Sequence, residues 1–307
     1  MAELAEHRGL LDHLRVTLKE IKDLERLVAR LGAGSGNARD LRAVSQSLGA
    51  LPGIKEQLDG AATERLKTLA QTTASFPALN ERIDAAIVDE PPIALKEGGL
   101  IRKGYHAELD ELREAATEGR RWIAEFQARE QERSGIKSLK VRHNRVFGYY
   151  IEVTKSNLAD VPEAYVRKQT LVNAERFITP ELKEYEQKIT GAQERSMELE
   201  YELFVEVREK LVAETAALQQ TAAAVAQLDV LAGFAERALV NRYVRPRMSE
   251  DGAVRIKDGR HPVVERIADA EAFVPNDSLL DGFENQLIII TGPNMAGKST
   301  YIRQVAL

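Results

Sequence analysis

The run Gly292-Pro293-Asn294-Met295-Ala296-Gly297-Lys298-Ser299 has the spacing Gly, four residues, Gly-Lys-Ser that cradles nucleotide phosphates. Each residue type has a chemical reason. Glycines let the backbone turn tightly, so that its N–H groups surround an anion. Lys298 brings a positive charge to the β- and γ-phosphates, and the Ser299 hydroxyl can ligate Mg²⁺. Leu287 to Ile290 reads as a buried strand leading in. Ser299 to Leu307 reads as a helix leading out, whose dipole adds partial positive charge at the anion. A glycine-rich turn without a ligand would share the glycines but leaves the Lys-Ser pair without a reason. Phosphoryl transfer also needs an acidic residue on another strand to hold Mg²⁺ and a group to orient the attacking water. Asp277 and Asp281 read as surface loop charges. The sequence as given runs eight residues past Ser299, so the expectation is that it holds no complete catalytic set.

A second constellation lies between Ser134 and Thr179. Lys137, Lys140, Arg142, Arg145, Lys155, Arg167, Lys168 and Arg176 stand against Glu152, Asp160, Glu163 and Glu175, a net +4. The whole chain carries −5, so the remainder carries −9. A local basic surface on an acidic protein suits contact with a phosphate backbone, and a solvated strand face would give the same charge. Tyr149, Tyr150 and Asn173 could add neutral hydrogen bonds to phosphates.

These residues must be held by the elements around them. The 307 residues suggest about two domains. Hydrophobic residues at 44% and charged residues at 30% describe a globular chain, with few aromatics and much Ala, Leu, Glu and Arg pointing to long helices. The absence of cysteine excludes disulfides, zinc-thiolate sites and a cysteine nucleophile. No apolar run approaches the roughly 20 residues of a membrane helix, and the acidic N-terminus has no signal-like apolar stretch, so the expectation is a cytoplasmic, membrane-free protein. Leu10, Leu11, Leu14, Leu18, Ile21, Leu24, Leu27, Val28 and Leu31 recur at steps of three and four and predict one helical face. Asn37 caps the next helix, which Pro52-Gly53 should end. Another helix is expected from about Tyr105 to Glu132, with Leu109, Leu112, Ala116, Ile123 and Phe126 inward.

Between Ser134 and Thr179 the period changes to two. Leu139 and Val141 alternate with Lys140 and Arg142, and Tyr149, Ile151 and Val153 oppose Tyr150 and Glu152. His143-Asn144 is the turn candidate between these runs. Thr179-Pro180-Glu181 opens a long helix, with cap, first-turn proline and acidic residue in order. Its seam, Leu182, Tyr185, Ile189, Ala192, Ser196, Leu199 and Leu203, fits a coiled-coil arm or an ordinary core helix equally. The flanking helices would run antiparallel, with the strand module at the far tip. After about Tyr243, Val254, Ile256, His261-Pro262-Val263-Val264 and Leu287 to Thr291 read as strands of an α/β domain. The fold class is therefore mainly α, with a small β-rich insertion and the beginning of an α/β P-loop domain.

Together these features resemble the bacterial MutS mismatch-repair family. The matching stretches are Ile136 to Val141, Asn144 to Val153, Arg167 to Leu171, Asn173 to Phe177, Thr179 to Glu186, Arg260 to Glu265 and Thr291 to Thr300, with Asp23-Leu24-Glu25-Arg26 in the helical part. They argue against the clamp-poor paralogue, MutS2. The resemblance implies four segments: residues 1–119 as core and lever, 120–179 as a DNA-contacting clamp, 180–243 as the returning lever, and 244–307 as the N-terminal part of an ABC-type ATPase domain. It implies ATP and Mg²⁺ as cofactors. Gly292, Pro293, Asn294, Met295, Ala296, Gly297, Lys298, Ser299 and Thr300 would bind the nucleotide, Ser299 would ligate the metal, and Phe273 would stack on adenine or else serve as a core side chain. Lys140, Arg142, Arg145, Arg167, Lys168, Asn173 and Arg176 would contact DNA. His261 is expected to order a turn. Ala296 stands where some members have Gly.

The family's partners are mismatched double-stranded DNA, a second copy in a homodimer, and a MutL-type repair protein. The family's mismatch-reading and connector domains have no counterpart in the sequence, nor do its Walker B, signature and dimerisation segments, so the expectation is an internal piece of such a protein, weakly active or inactive alone as an ATP hydrolase. A P-loop ATPase with a coiled-coil arm, of the chromosome-organising kind, is the alternative. Such arms end in a hinge or hook, and the basic strand module discriminates against them.

Overall fold

The computed structural model describes residues 1–144, 146–267 and 273–307. The chain divides into two compact units, Met1–Arg242 and Tyr243–Leu307.

The first unit begins with six helices: α1 (Ala2–Glu6), α2 (Arg8–Glu20), α3 (Leu24–Gly32), α4 (Ala38–Leu58), α5 (Glu64–Thr72) and α6 (Pro77–Ala86). The single face expected over residues 10–31 is two helices. Ile21 is extended (φ −84°, ψ 123°), and the Asp23 carboxylate accepts the Arg26 N–H at 3.0 Å, starting α3 afresh. Asn37 caps α4 as expected. Its side chain accepts from Arg39 and Asp40, and the Asp40 carboxylate accepts the Asn37 N–H at 2.9 Å. Pro52-Gly53 does not end α4, which continues to Leu58. An internal proline costs about 3 kcal/mol. Leu48, Leu51, Ile54 and Leu58 on the same stretch are at most 2% exposed. Burying such side chains yields about 1.5–3 kcal/mol each, so packing outweighs the local defect.

α7 (Ala107–Ser134) and α8 (Pro180–Ala213) are the long pair, and α9 (Thr215–Asn241) follows. The 34 residues of α8 make a rod of about 51 Å. The pair is antiparallel: Arg113 meets Glu200, Trp122 meets Tyr185 and Arg129 meets Glu181. The two alternatives for the α8 seam divide along its length. Leu199, Leu203, Phe204, Val207 and Leu211 join the core formed by α2–α6 and α9, whereas Leu182 belongs to a second apolar cluster. Buried Glu200 ties the base of the pair down. It accepts the Leu100 N–H at 2.6 Å and pairs with Arg113 at 2.8 Å.

Between α7 and α8 lie four strands, β1 (Lys140–Asn144), β2 (Gly148–Thr154), β3 (Val166–Thr170) and β4 (Ala174–Ile178). They form one antiparallel sheet in the order β1-β2-β4-β3. One face packs on the helices through the second cluster, in which Phe126, Ile136, Leu139, Ile151, Val153, Tyr165, Phe177 and Leu182 are buried. The expected turn at His143-Asn144 lies further on. Both residues pair within the ladder, with Tyr149 and Gly148 respectively. The Asn144 carboxamide instead accepts the N–H groups of Val146 and Phe147 at 3.0 and 2.7 Å, so it holds the turn from the strand's end. Thr179 and Pro180 open α8 as expected, with the threonine hydroxyl accepting the Leu182 N–H at 3.1 Å.

The second unit holds an antiparallel pair, β5 (Val254–Gly259) and β6 (Asn276–Leu280), and α10 (Lys298–Ala306). Two strand expectations are corrected. His261 to Val264 forms a turn that leads into a short 3₁₀ helix, and Leu287 to Thr291 is not a strand. A strand exists through hydrogen bonds to a neighbour. None pairs with this run among the described residues, and Leu287 and Ile289 are 80% and 79% exposed. His261 orders its turn, as expected. Its Nδ1 accepts the N–H groups of Val263 and Val264, both at 3.3 Å. No helix among the described residues is long and apolar enough to cross a membrane.

Candidate nucleic-acid interface and nucleotide loop

Strand register sorts the basic residues of the first unit by face. Lys140 pairs with Glu152, Arg142 with Tyr150, and Glu152 with Arg176, so all five share the face turned away from the helices. Glu152 is the hub. Arg142 Nε stands 3.4 Å from one of its oxygens and Arg176 Nε 3.6 Å from the other. Arg176 also donates to Gln169 Oε1 at 2.8 Å and lies over the Tyr150 ring at 4.4 Å. It is therefore a braced, half-buried guanidinium. Arg142 remains half exposed beside it.

The edge strand β3 carries the other cations. Arg167 is 63% exposed and reaches Glu175 at 3.3 Å. The ladder shifts register between Arg167 and Gln169, so Lys168 sits on an irregularity and is exposed. Such bulges re-aim a side chain. Asn173 lies in the β3–β4 turn, exposed, and its carbonyl accepts the Lys155 N–H at 3.1 Å. Arg145 lies outside the described residues. Lys140, Arg142, Arg167, Lys168, Asn173 and Arg176 thus share one small sheet, on two faces and one turn. Sequence reasoning missed Glu152 and Gln169 as the partners that engage Arg176. Period two already placed Glu152 beside Tyr150, but nothing local announced that β4 would lie next to β2.

In the second unit, Gly292 to Ser299 forms an exposed loop that ends at the N-terminus of α10. Gly297 is left-handed (φ 84°) and caps the helix without any side-chain cap, so the first-turn N–H groups face outward. Met295 is also left-handed (φ 65°), a conformation that costs a non-glycine residue about 1–2 kcal/mol. Lys298 Nζ donates to the Gly292 carbonyl at 2.7 Å, drawing the ammonium across the loop. Phe273, half-buried, borders a cavity of about 400 Å³ together with Thr291, Ala296, Gly297, Lys298 and Thr300. Pro293, Asn294 and the Ser299 side chain lie in exposed residues of the loop and first turn.

This donor set fits a polyphosphate: an uncapped helix N-terminus, left-handed backbone and one ammonium. Ser299 supplies one hydroxyl for a metal ion. Among the described residues no cluster of three or more acidic or histidine side chains could hold one.

Comparison with known proteins gives one consistent family. The profile described as "MutS family domain IV" matches residues 104–195. "DNA mismatch repair protein MutS" of Symbiobacterium thermophilum is 53% identical over 307 residues, covering 100% of this chain and 35% of that protein. The protein of the same name from Methanosarcina acetivorans is 52% identical, covering 99% of this chain and 34% of its own length. That from Alkaliphilus metalliredigens is 50% identical, covering 99% and 34%. The chain thus spans about a third of the length of the curated relatives it matches.

Proposed function

Because this chain belongs to the MutS family, we propose that it serves DNA mismatch repair as the part that holds duplex DNA and receives ATP. Residues 120–179 act as the clamp at the end of the antiparallel lever, and residues 1–119 and 180–243 form the core and lever behind it. Residues 244–307 begin the nucleotide-binding domain. The observation that carries the reading is the small sheet of the first unit, which exposes Lys140, Arg142, Arg167 and Lys168 and carries a braced Arg176.

Geometry supports a physical role for each residue. Lys140, Lys168 and Arg167 meet phosphates as exposed charges, and the sheet keeps them at fixed spacing. Such contacts position the duplex without reading its sequence. Arg142 adds a partly free guanidinium, and Asn173 a neutral contact. In the loop, Lys298 would hold a phosphate oxygen in place of the Gly292 carbonyl, and the first-turn N–H groups of α10 would take the remaining charge. Ser299 would ligate Mg²⁺, and Phe273 would offer its ring to the base. Bound ATP with Mg²⁺ supplies the free energy of phosphoryl transfer. The working assembly includes mismatched double-stranded DNA, a second copy of the protein and a MutL-type partner.

The test is duplex binding by the chain, followed by fluorescence anisotropy from low to moderate salt. Each neutralised phosphate should lower log K by about 0.9 per decade of salt, so three or four contacts give a slope near about −3. Reversing Arg167 and Lys168 to Glu should remove about two units of that slope. A flat salt response, or unchanged binding after the reversal, rules the interface out.

A further inference from the structure

One buried network in the first unit is not used by the phosphate contacts themselves. Glu130, on the last turns of α7, is 3% exposed. The Tyr165 hydroxyl donates to its Oε2 at 2.6 Å, and Arg133 Nη2 reaches the same oxygen at 2.6 Å. The Arg133 guanidinium also lies over the Tyr165 ring, 5.8 Å from its centroid. Tyr165 is itself 7% exposed and packs at 6.0 Å on Phe177 of β4. It stands immediately before Val166, where β3 begins. Burial, followed by the hydrogen bond to Glu130, raises the phenol's pKa well above its ordinary value, so the hydroxyl stays a donor.

β3 is an edge strand. It is paired along one side with β4, and its ladder slips between Arg167 and Gln169. Its residues Arg167, Lys168, Gln169 and Thr170 are polar on both faces and Val166 is exposed, so no buried apolar face of its own fixes its register. Something must fix where it begins. The hydroxyl-to-carboxylate bond from Tyr165 to Glu130 does so, tying the first residue before β3 to the lever helix.

We propose that Glu130 is a positioning residue for DNA, which through Tyr165 sets where β3 presents Arg167 and Lys168. The proposal rests on the reading of β3 as a phosphate-contacting strand. Glu130 itself is too buried to touch the duplex. It acts by holding the strand end, and the carboxylate's second partner, Arg133, keeps the charge balanced where water is excluded.

The experiment uses the full chain and measures duplex affinity, salt slope and backbone amide exchange over residues 166–170. Tyr165→Phe removes one hydroxyl and keeps the ring. It should weaken duplex binding by about fivefold, because only part of the worth of a hydrogen bond to a carboxylate passes on to the contacts it positions, and speed exchange across β3. Glu130→Ala should weaken binding at least as much, because it strands the buried Tyr165 hydroxyl, whereas Glu130→Gln, which keeps an acceptor for Tyr165, should recover most of the affinity. Added to Arg167→Ala with Lys168→Ala, Tyr165→Phe should cost less than about twofold more, because the cations it positions are gone. If Tyr165→Phe lowers thermal stability but leaves affinity, salt slope and β3 exchange unchanged, while the Arg167/Lys168 variant still loses binding, the positioning role is overturned and the interface stands. If the unmodified chain binds duplex DNA without salt dependence, both fall.

Discussion

Adding one methyl group at Gly119 tests how tightly the two long helices are fitted. Gly119 is buried in the middle of α7, facing α8. A Cβ built there would overlap Ile189 Cγ1, lie 2.9 Å from its Cδ1 and 3.3 Å from its Cβ. Ile189 is 4% exposed, so its side chain has little room to turn away. Two effects oppose one another. Alanine in a helix interior gains about 1 kcal/mol over glycine. Overpacking a close contact costs about 1–3 kcal/mol. The overlapping atoms are Ile189 Cγ1 and Cδ1; a β-branched side chain in a helix is stiff at χ1 and its Cβ is already at a tight 3.3 Å, so the steric term should win. Gly119→Ala should destabilise by up to about 2 kcal/mol, and Gly119→Val by more.

The assay is built into the molecule. Trp122 is the sole tryptophan, one turn from Gly119, and its ring stacks on Tyr185 of α8 at 3.6 Å and 4°. Pushing the helices apart should open that stack and shift tryptophan emission to the red before global unfolding. Trimming Ile189 to Val in the Gly119→Ala background should restore part of the loss, a coupling of at least about 0.5 kcal/mol. Stabilisation of about 1 kcal/mol by Gly119→Ala, with unchanged emission, would refute the close-fit argument.

Three further substitutions probe other parts. Gly148 is left-handed (φ 69°), and a Cβ there would overlap the Glu186 carboxylate, whose Oε1 accepts the Tyr149 N–H at 3.3 Å. Gly148→Ala should therefore lower the chain's melting temperature and speed amide exchange in β1 and β2, and unchanged exchange would contradict the contact. Glu3 accepts the N–H groups of Ala62 and Thr63 at 2.6 and 2.9 Å, and the Ala62 bond, foremost, holds its pKa below the ordinary value. Its contribution to stability is present above that ordinary value and lost as pH falls through the lowered one. Glu3→Gln should flatten this acid limb of a melting-temperature profile, and an unaltered profile would exclude the link. Lys298→Ala should weaken binding of a fluorescent ATP analogue at least about tenfold, as loss of a charged hydrogen bond implies, and equal binding by both forms would remove the loop from the site.

What was legible in the sequence was what acts over a few residues. Asn37 and Thr179 carry the acceptor that a helix start needs, and both cap as expected. His261 orders its turn because its ring lies two and three residues from the N–H groups it accepts. Where a local signal competes with distant packing, it misleads. Pro52 should have ended α4, but the apolar face around it is buried by other helices, and that burial is invisible in the run itself. Leu287 to Ile290 has the composition of a strand, yet strand structure also needs a partner, and no periodicity supplies one.

The same limit governs the basic residues, and there it changes the chemistry. Counting charge treats Lys140, Arg142, Arg167, Lys168 and Arg176 as equal contributors to a +4 surface. Sheet order makes them unequal. Bringing β4 beside β2 places Arg176 against Glu152, Gln169 and the Tyr150 ring, while Lys140 and Lys168 have no ion-pair partner among the described residues. A guanidinium that must abandon three partners before meeting a phosphate returns less net binding than an exposed ammonium that abandons only water. On the proposed reading of this sheet as a DNA interface, Arg176 is thus better placed to stiffen the sheet and neutralise Glu152, and the exposed cations beside it are the ones expected to make the contacts.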